Sequence, residues 1–288
     1  MESTRSRSVR GRICIVTGPT SGIGREVARG LSRLGGHVVL ACRNPEKGET
    51  LRVELTRETG GTEPEMIPLD LASRASIRAF VKEFGSRHDR LDVLVNNAGI
   101  YTRKRRVTED GLEAQLAVNY LGPFLLTNLL LPALRAGAPS RVVNVASNAH
   151  YGGKLDFGNL QGGRAYSGFR MYSDSKLALV LFTYEMARRL QGSGITVNAV
   201  HPGVIRTSLG KGEMPRMFDL VRLFLRGPQK GADTPVHVAT ARDLEAATGK
   251  YFAKRRAIRS ADASYDEATA NRLWTVSEEL TGLGKAWL

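Results

Sequence analysis

The 288-residue sequence predicts an α/β fold: a single domain over 1–288, built as a doubly wound parallel sheet of about seven strands flanked by helices. Three observations carry this. Short apolar, β-branched runs recur along the chain, as expected of strands buried on both faces. Between them lie segments whose apolar residues return at helical spacing, the alternation that builds parallel βαβ units. The first strand also runs directly into a glycine-rich turn that opens a helix.

That first strand is residues 12–17. It ends in Gly18-Pro19-Thr20-Ser21-Gly22-Ile23-Gly24, after which Glu26, Val27, Leu31 and Leu34 recur at helical spacing. Such a turn offers backbone N–H groups and a helix N-terminus to a phosphate. Glycine leaves room for a pyrophosphate and for close helix–strand packing. The second strand, 37–42, ends in Arg43-Asn44, where NAD-binding folds usually carry an acid for the ribose 2′-hydroxyl. An arginine there matches a 2′-phosphate through charged, forked hydrogen bonds, so NADP(H) is favoured over NAD(H). A solvated loop residue is the other reading of Arg43. Arg25, just past the glycines, could assist.

A helix is predicted over 45–59, closed by Gly60-Gly61, and a third strand over 66–69 leads to Asp70-Leu71. Asp70 stands where an adenine amino group could be bonded, and equally where it could cap the next helix, which begins around Ser73. Helical spacing returns over 77–84. The fourth strand, 91–95, ends in Asn96-Asn97-Ala98-Gly99, small residues and amides that suit close packing against a ligand. A basic loop, Arg103-Lys104-Arg105-Arg106, reads mainly as solvated. One long helical region is predicted over 112–134. It holds Asn119 among apolar neighbours, where a buried amide must find a partner. The fifth strand, 141–147, ends in Ser147. Residues 151–170, rich in glycine and aromatics, read as a long loop of the functional kind.

The next helix, running to about residue 191, carries Tyr172-Ser173-Asp174-Ser175-Lys176. Positions i and i+4 share a face, so the phenol and the ammonium lie together. The positive charge is expected to lower the tyrosine pKa toward neutrality. A tyrosine so tuned passes a proton to or from a carbonyl or hydroxyl oxygen. The sixth strand, 195–200, leads into His201-Pro202-Gly203-Val204-Ile205-Arg206-Thr207. Met214, Met217, Phe218, Leu220, Val221 and Leu223 to Leu225 then form an apolar, partly amphipathic helix. A last strand is predicted over 250–252 and a last helix over 267–280.

Composition narrows the function classes. Hydrophobic content of 42% and charged content of 24% are ordinary for a globular protein. No run of eighteen apolar residues occurs, so no membrane span is expected. The tail 1–10 is arginine-rich and lacks the apolar stretch of a signal peptide. Cys14 and Cys42 sit in strand-like runs and read as reduced core residues of a cytoplasmic protein, with no metal-binding spacing. The net charge of +14 would suit nucleic acid or anionic lipid. Its basic residues are scattered and no nucleic-acid motif appears, so no nucleic-acid partner is expected.

Taken together, Thr17-Gly18-x-x-x-Gly22-Ile23-Gly24, Asn96-Asn97-Ala98-Gly99, Asn119, Ser147, Tyr172-x-x-x-Lys176 and Pro202-Gly203-x-Ile205-x-Thr207 resemble the short-chain dehydrogenase/reductase family. Motif type and order match from about Gly11 to Gly249. Within it, Ala41-Cys42-Arg43, Ser147-Asn148-Ala149-His150, the insert before Tyr172 and His201-Pro202-Gly203 resemble the retinol dehydrogenase-like branch. Two departures stand out. Membrane-bound members of that branch carry an N-terminal apolar anchor, which this sequence lacks, and Ala146 replaces a frequent second serine.

The resemblance implies a Rossmann-type fold and a role for each matching position. Tyr172 would be the general acid in reduction and the base in oxidation, with Lys176 lowering its pKa and holding the nicotinamide ribose. Ser147 would bond the substrate oxygen, and Asn119 would anchor a water that links Lys176 to solvent. Gly18, Ser21, Gly22, Ile23, Gly24, Arg43 and Asn44 would hold the phosphates and ribose. Asp70 and Leu71 would sit at the adenine, and Asn97, Ala98 and Gly99 by the adenosine ribose. Pro202, Gly203, Ile205 and Thr207 would close over the nicotinamide. Residues 208–230 would lid a pocket for a small lipophilic carbonyl or alcohol. A homodimer or homotetramer is a further implication. A non-catalytic NADP(H) sensor would be favoured by loss of Tyr172, Lys176 or Ser147, and none is lost.

Overall fold

The computed structural model describes residues 9–60, 63–203 and 227–284. Within them one sheet has the strand order β3-β2-β1-β4-β5-β6-β7-β8. Strands β1 (Ile13–Thr17), β2 (His37–Cys42), β3 (Glu65–Pro68), β4 (Val93–Asn96), β5 (Ser140–Val145), β6 (Ile195–His201) and β7 (Tyr251–Ala253) pair in parallel. The order reverses between β1 and β4. Doubly wound sheets bind ligands in the crevice that such a reversal leaves at the carboxyl ends of the strands.

Both faces of the sheet are covered, which is why its strands are apolar runs rather than alternating ones. Helices α1 (Gly22–Arg33) and α2 (Pro45–Thr59) lie on one face with α8 (Pro228–Thr240), burying Val27, Leu31, Leu55 and Val238. On the other face α3 (Arg74–Arg87), α5 (Gly122–Leu129), α7 (Gly168–Arg189) and α9 (Glu267–Thr281) bury Phe80, Phe124, Phe182 and Trp274. Cys14 and Cys42 are free and buried, and burial raises their thiols to about 12 and about 11. No helix among the described residues is long and apolar enough to cross a membrane.

The structure differs from the expected elements in three places. The predicted sheet has about seven strands, and an eighth, β8 (Arg256–Ile258), folds back antiparallel on β7. Its turn is Lys254-Arg255, with φ of 50° and 63°, the left-handed geometry a two-residue hairpin needs. Asn-Gly or Asp-Gly would have marked that turn, whereas Lys-Arg does not. The region 112–134 is not one helix. Short α4 (Ala114–Leu116) passes into a π-helical turn (Ala117–Leu121), then α5 and α6 (Leu131–Ala136). Pro123 and Pro132 explain the breaks, because proline has no N–H to return to the carbonyl one turn earlier. Finally, Gly227 caps and 228–230 begin α8, which packs on α1 so closely that a Cβ at Gly30 would lie 3.0 Å from Val236 Cγ2. The rest of the expected lid, the apolar helix 214–225, Ile205, Thr207 and residues 1–8 of the arginine-rich tail lie outside the described residues.

At the amino ends of β2 and β3, Glu65 accepts from His37 at 2.8 Å and from His88, and pairs with Arg87 at 3.2 Å. Burial alone would raise this carboxyl, but the imidazoles and the guanidinium outweigh it and hold it at about 2. A carboxylate depressed in the folded state stabilises above its unfolded pKa and loses that contribution as pH falls through the folded value. Glu65→Gln is therefore expected to lower stability by about 1.5–3 kcal/mol at neutral pH. In denaturant titrations its gap to the wild type should narrow as pH falls from 4.5 toward 2. A gap that stays constant with pH would contradict this reading.

Candidate active site

The glycine turn after β1 is pressed against the end of β4. Gly18 and Gly22 have φ of +63° and +56°, which side chains resist. A Cβ at Gly18 would lie 3.0 Å from Ala98, and one at Gly24 would collide with the Asn97 amide and the Gly18 carbonyl. Thr17 Oγ1 accepts from the N–H groups of Asn97 and Ala98, both at 3.0 Å. The Asn97 amide donates back to the carbonyls of Thr17 at 2.9 Å and Gly18 at 3.3 Å. Asn97 therefore shapes the turn with its side chain. Helix α1 opens here with Ser21 at its cap position, Ile23 half-buried and no acid in its first turn. Its N-terminal N–H groups are thus left to an anion. This tight, side-chain-free cradle fits a dinucleotide pyrophosphate.

Thr17 pairs with Ala41, and the Gly18 N–H donates to the Ala41 carbonyl at 2.9 Å. That register brings Arg43, exposed just past β2, beside the glycine turn. Two neighbours serve other ends. Asn44 caps α2, its Oδ1 accepting the Lys47 N–H at 2.8 Å. Arg25 is ion-paired with Glu54 of α2, in a network with Arg29 and Glu58, so the assistance expected of it gives way to helix packing. Asp70 is not the cap of α3. Ser73 takes that place, accepting from the Ser76 N–H at 3.2 Å, while Asp70 Oδ1 accepts from Ala72 at 2.9 Å. Leu71 is buried, and its carbonyl closes on Gly122.

Tyr172 and Lys176 share one face of α7, with the ammonium 5.8 Å from the centre of the phenol ring. Ser167 caps this helix, which starts at Gly168, inside the stretch expected to be loop. Ser147, just past β5, stands beside the Tyr172 phenol and acts to lower its pKa. The serine hydroxyl accepts the Ala149 N–H at 3.2 Å, so Ser147 is both a turn cap and a site residue. Lys176 Nζ donates to the Val145 carbonyl at 2.9 Å. Asn119 is fully buried, donating to the Ile100 carbonyl and Ser175 Oγ, both at 3.0 Å, and accepting the Ile100 N–H at 2.7 Å. A Cβ at Gly99 would lie 3.2 Å from Asn119 Oδ1 and 3.5 Å from Lys176 Nζ, so glycine lets these groups converge.

Electrostatics corrects one expectation. Burial pushes the Tyr172 phenol up to about 12, and Ser147 offsets this only in part. Burial likewise pushes Lys176 down to about 8. The expected lowering of Tyr172 is not found, because both groups sit where charge is poorly solvated. The phenol is therefore held as a proton donor.

Pro202 and Gly203 follow β6 at the same edge of the sheet, Gly203 with φ of +93°. The long loop is anchored at its end, where the Tyr166 hydroxyl meets Thr102 Oγ1 at 3.0 Å, Gln115 at 2.9 Å and buried Glu113 at 3.1 Å. The basic loop stays at the surface, and Arg105 donates to the Gln161 carbonyl at 3.0 Å. Three site residues escape the sequence reading. Ser175 accepts from Asn119 and donates to the Tyr172 carbonyl at 2.7 Å, a role its place inside Tyr-x-x-x-Lys signals. Tyr101 sets its ring edge-on to Tyr172, 6.0 Å between centres. His150, fully buried, touches the Ser147 carbonyl.

The sequence pattern of the short chain dehydrogenase family matches residues 12–216. The chain belongs to this family. It is similar to human retinol dehydrogenase 11, 43% identical over 97% of this chain and 89% of that protein. Among solved structures it is similar to an uncharacterized protein from Mycobacterium paratuberculosis, with a TM-score of 0.80, 33% identity and 96% coverage of both chains. It is also similar to the RhlG/NADP active-site complex of Pseudomonas aeruginosa, with a TM-score of 0.70, 28% identity, and 85% and 95% coverage. The chain is thus an NAD(P)-dependent short-chain dehydrogenase/reductase, an oxidoreductase that moves a hydride between nicotinamide and a small substrate.

Proposed function

We propose that this short-chain dehydrogenase is an NADP(H)-dependent alcohol dehydrogenase or carbonyl reductase acting on lipophilic alcohol/aldehyde or ketone pairs in the cytoplasm. The observation that carries the reading is the Tyr172 phenol beside Ser147, with Lys176 one turn along the same helix face. When bound, the dinucleotide supplies the hydride. Tyr172 gives the proton to the carbonyl oxygen in reduction and takes it back in oxidation. Ser147 orients that oxygen and steadies the negative charge that grows on it. Lys176 holds the nicotinamide ribose. The Asn119 side chain is committed to Ile100 and Ser175. A relay water would therefore be held by its backbone carbonyl rather than by its amide. Arg43 supports the choice of NADP(H), and the apolar sequence of 214–225 supports a lipophilic substrate. The relative named retinol dehydrogenase 11 points the same way.

The test is consumption of NADPH, with NADH in parallel, across lipophilic aldehydes and ketones including retinal. Arg43→Asp is expected to raise KM for NADPH by about 10–100-fold, the effect of losing hydrogen bonds to a charged group. It should spare NADH. Equal wild-type rates with the two cofactors would remove the role given to Arg43. No turnover of any apolar carbonyl would remove the substrate class.

A further inference from the structure

We infer that His150 is a positioning residue for Ser147, a buried imidazole that sets the serine's backbone by joining it to the segment after β8. The inference rests on the role proposed for Ser147. His150 lies in the 3₁₀ turn (Asn148–Gly152) that Ser147 caps, and it is fully buried. Its Nδ1 stands 2.6 Å from the Ser147 carbonyl, which can only accept, so Nδ1 carries the proton. Its Nε2 stands 3.0 Å from the Ala261 N–H, which can only donate, so Nε2 is bare. Both contacts demand the same neutral tautomer. Burial in turn keeps the ring uncharged.

The surrounding contacts point the same way. The rings of Tyr151 and Tyr251 lie 4.2 Å and 4.7 Å from the imidazole and confine it. Tyr251 donates to Asn148 Oδ1 at 3.1 Å, and the Asn148 N–H donates to His201 Nδ1 at 3.3 Å. Tyr151 donates to the Arg259 carbonyl at 2.6 Å. An apolar side chain would fill the space without the desolvation that a buried imidazole incurs. The His150 N–H already donates to that carbonyl at 3.1 Å, so what the imidazole adds is a second donor that ties it to Ala261, and hence a firmer aim of the Ser147 hydroxyl toward Tyr172.

Three substitutions separate positioning from simple stapling of the C-terminal segment. His150→Leu removes both contacts. His150→Asn keeps a donor where Nδ1 stands, and His150→Gln keeps an acceptor where Nε2 stands. His150→Leu is expected to lower kcat about 10–100-fold, as sub-ångström misplacement and loss of an oxyanion donor do, with NADPH affinity unchanged. His150→Asn should restore most of that kcat, and His150→Gln should not. The double variant Ser147→Ala/His150→Leu should be no slower than Ser147→Ala alone, because the two act as a unit. A second readout needs no turnover. In protein labelled with 13Cζ-tyrosine, His150→Leu should move the Tyr172 resonance in the same direction as Ser147→Ala. If the wild type turns over nothing yet this resonance moves, the proposed activity falls and the positioning stands. Wild-type kcat and an unmoved Tyr172 resonance in folded His150→Leu would overturn the inference, as would rescue by His150→Gln but not His150→Asn.

Discussion

Tyr172→Phe is expected to lower kcat by about 10²–10⁴-fold, the range for losing one positioned general acid. Phenylalanine keeps the ring, so packing against Tyr101 survives, and NADPH should bind as before. The loss isolates a single hydroxyl. The pH dependence adds a second signature. Burial holds the phenol up at about 12, so the proton donor for reduction is present throughout the neutral range. Oxidation needs the phenolate, so its rate should climb with pH well past neutrality. In Tyr172→Phe that climb should vanish. Stopped-flow or steady-state NADPH absorbance over a pH series reads both effects. A variant as fast as the wild type would remove Tyr172 from the chemistry.

Lys176→Met is expected to inactivate the enzyme and stabilise the fold at once. The lysine is buried, it donates to the Val145 carbonyl, and its pKa falls from 10.5 to about 8. Below about pH 8 the folded protein must hold an ammonium that the unfolded chain solvates better. Between about 8 and 10.5 the unfolded chain binds the proton and the folded protein does not, so stability rises with pH across that window. Methionine fills a similar volume without the charge. The variant should therefore gain on the order of 3 kcal/mol at neutral pH, from the fall of the lysine pKa from 10.5 to about 8. That gain should shrink to nothing as pH rises through the window. Tyrosines of the unfolded chain titrate near its upper end, so the difference between variant and wild type is the quantity to follow. Denaturant midpoints at a series of pH values measure it, and a variant less stable than the wild type at pH 7 would refute the account. The same lysine would then cost stability and serve function, a trade common at active sites.

Much of this protein was legible in its sequence, because its signals are local. Strand β1, the glycine turn and α1 announce themselves within residues 12–34, and α2 begins and ends where Asn44, Pro45 and Gly60 say it should. Parallel strands buried on both faces are apolar throughout, which made them visible as runs. Tyr172 and Lys176 lie four residues apart on one helix, so their partnership could be read without any tertiary contact.

Other features depended on partners far along the chain. Lys254-Arg255 makes a hairpin turn that only pairing with β7 imposes. Arg25 looked available until α2 brought Glu54 against it, and Asn44 until α2 needed a cap. The pKa values of Tyr172 and Lys176 reversed the simple pair argument, because burial moves both toward their uncharged forms. His150 joins residues 111 positions apart, and no spacing rule reaches that far. Hydrophobic period and motif order determined the sheet, the glycine turn and the pairing of Tyr172 with Lys176 on one helix face. Burial and long-range hydrogen bonding decided protonation, orientation and which polar groups remained available, since both depend on surroundings that only the assembled sheet and helices create.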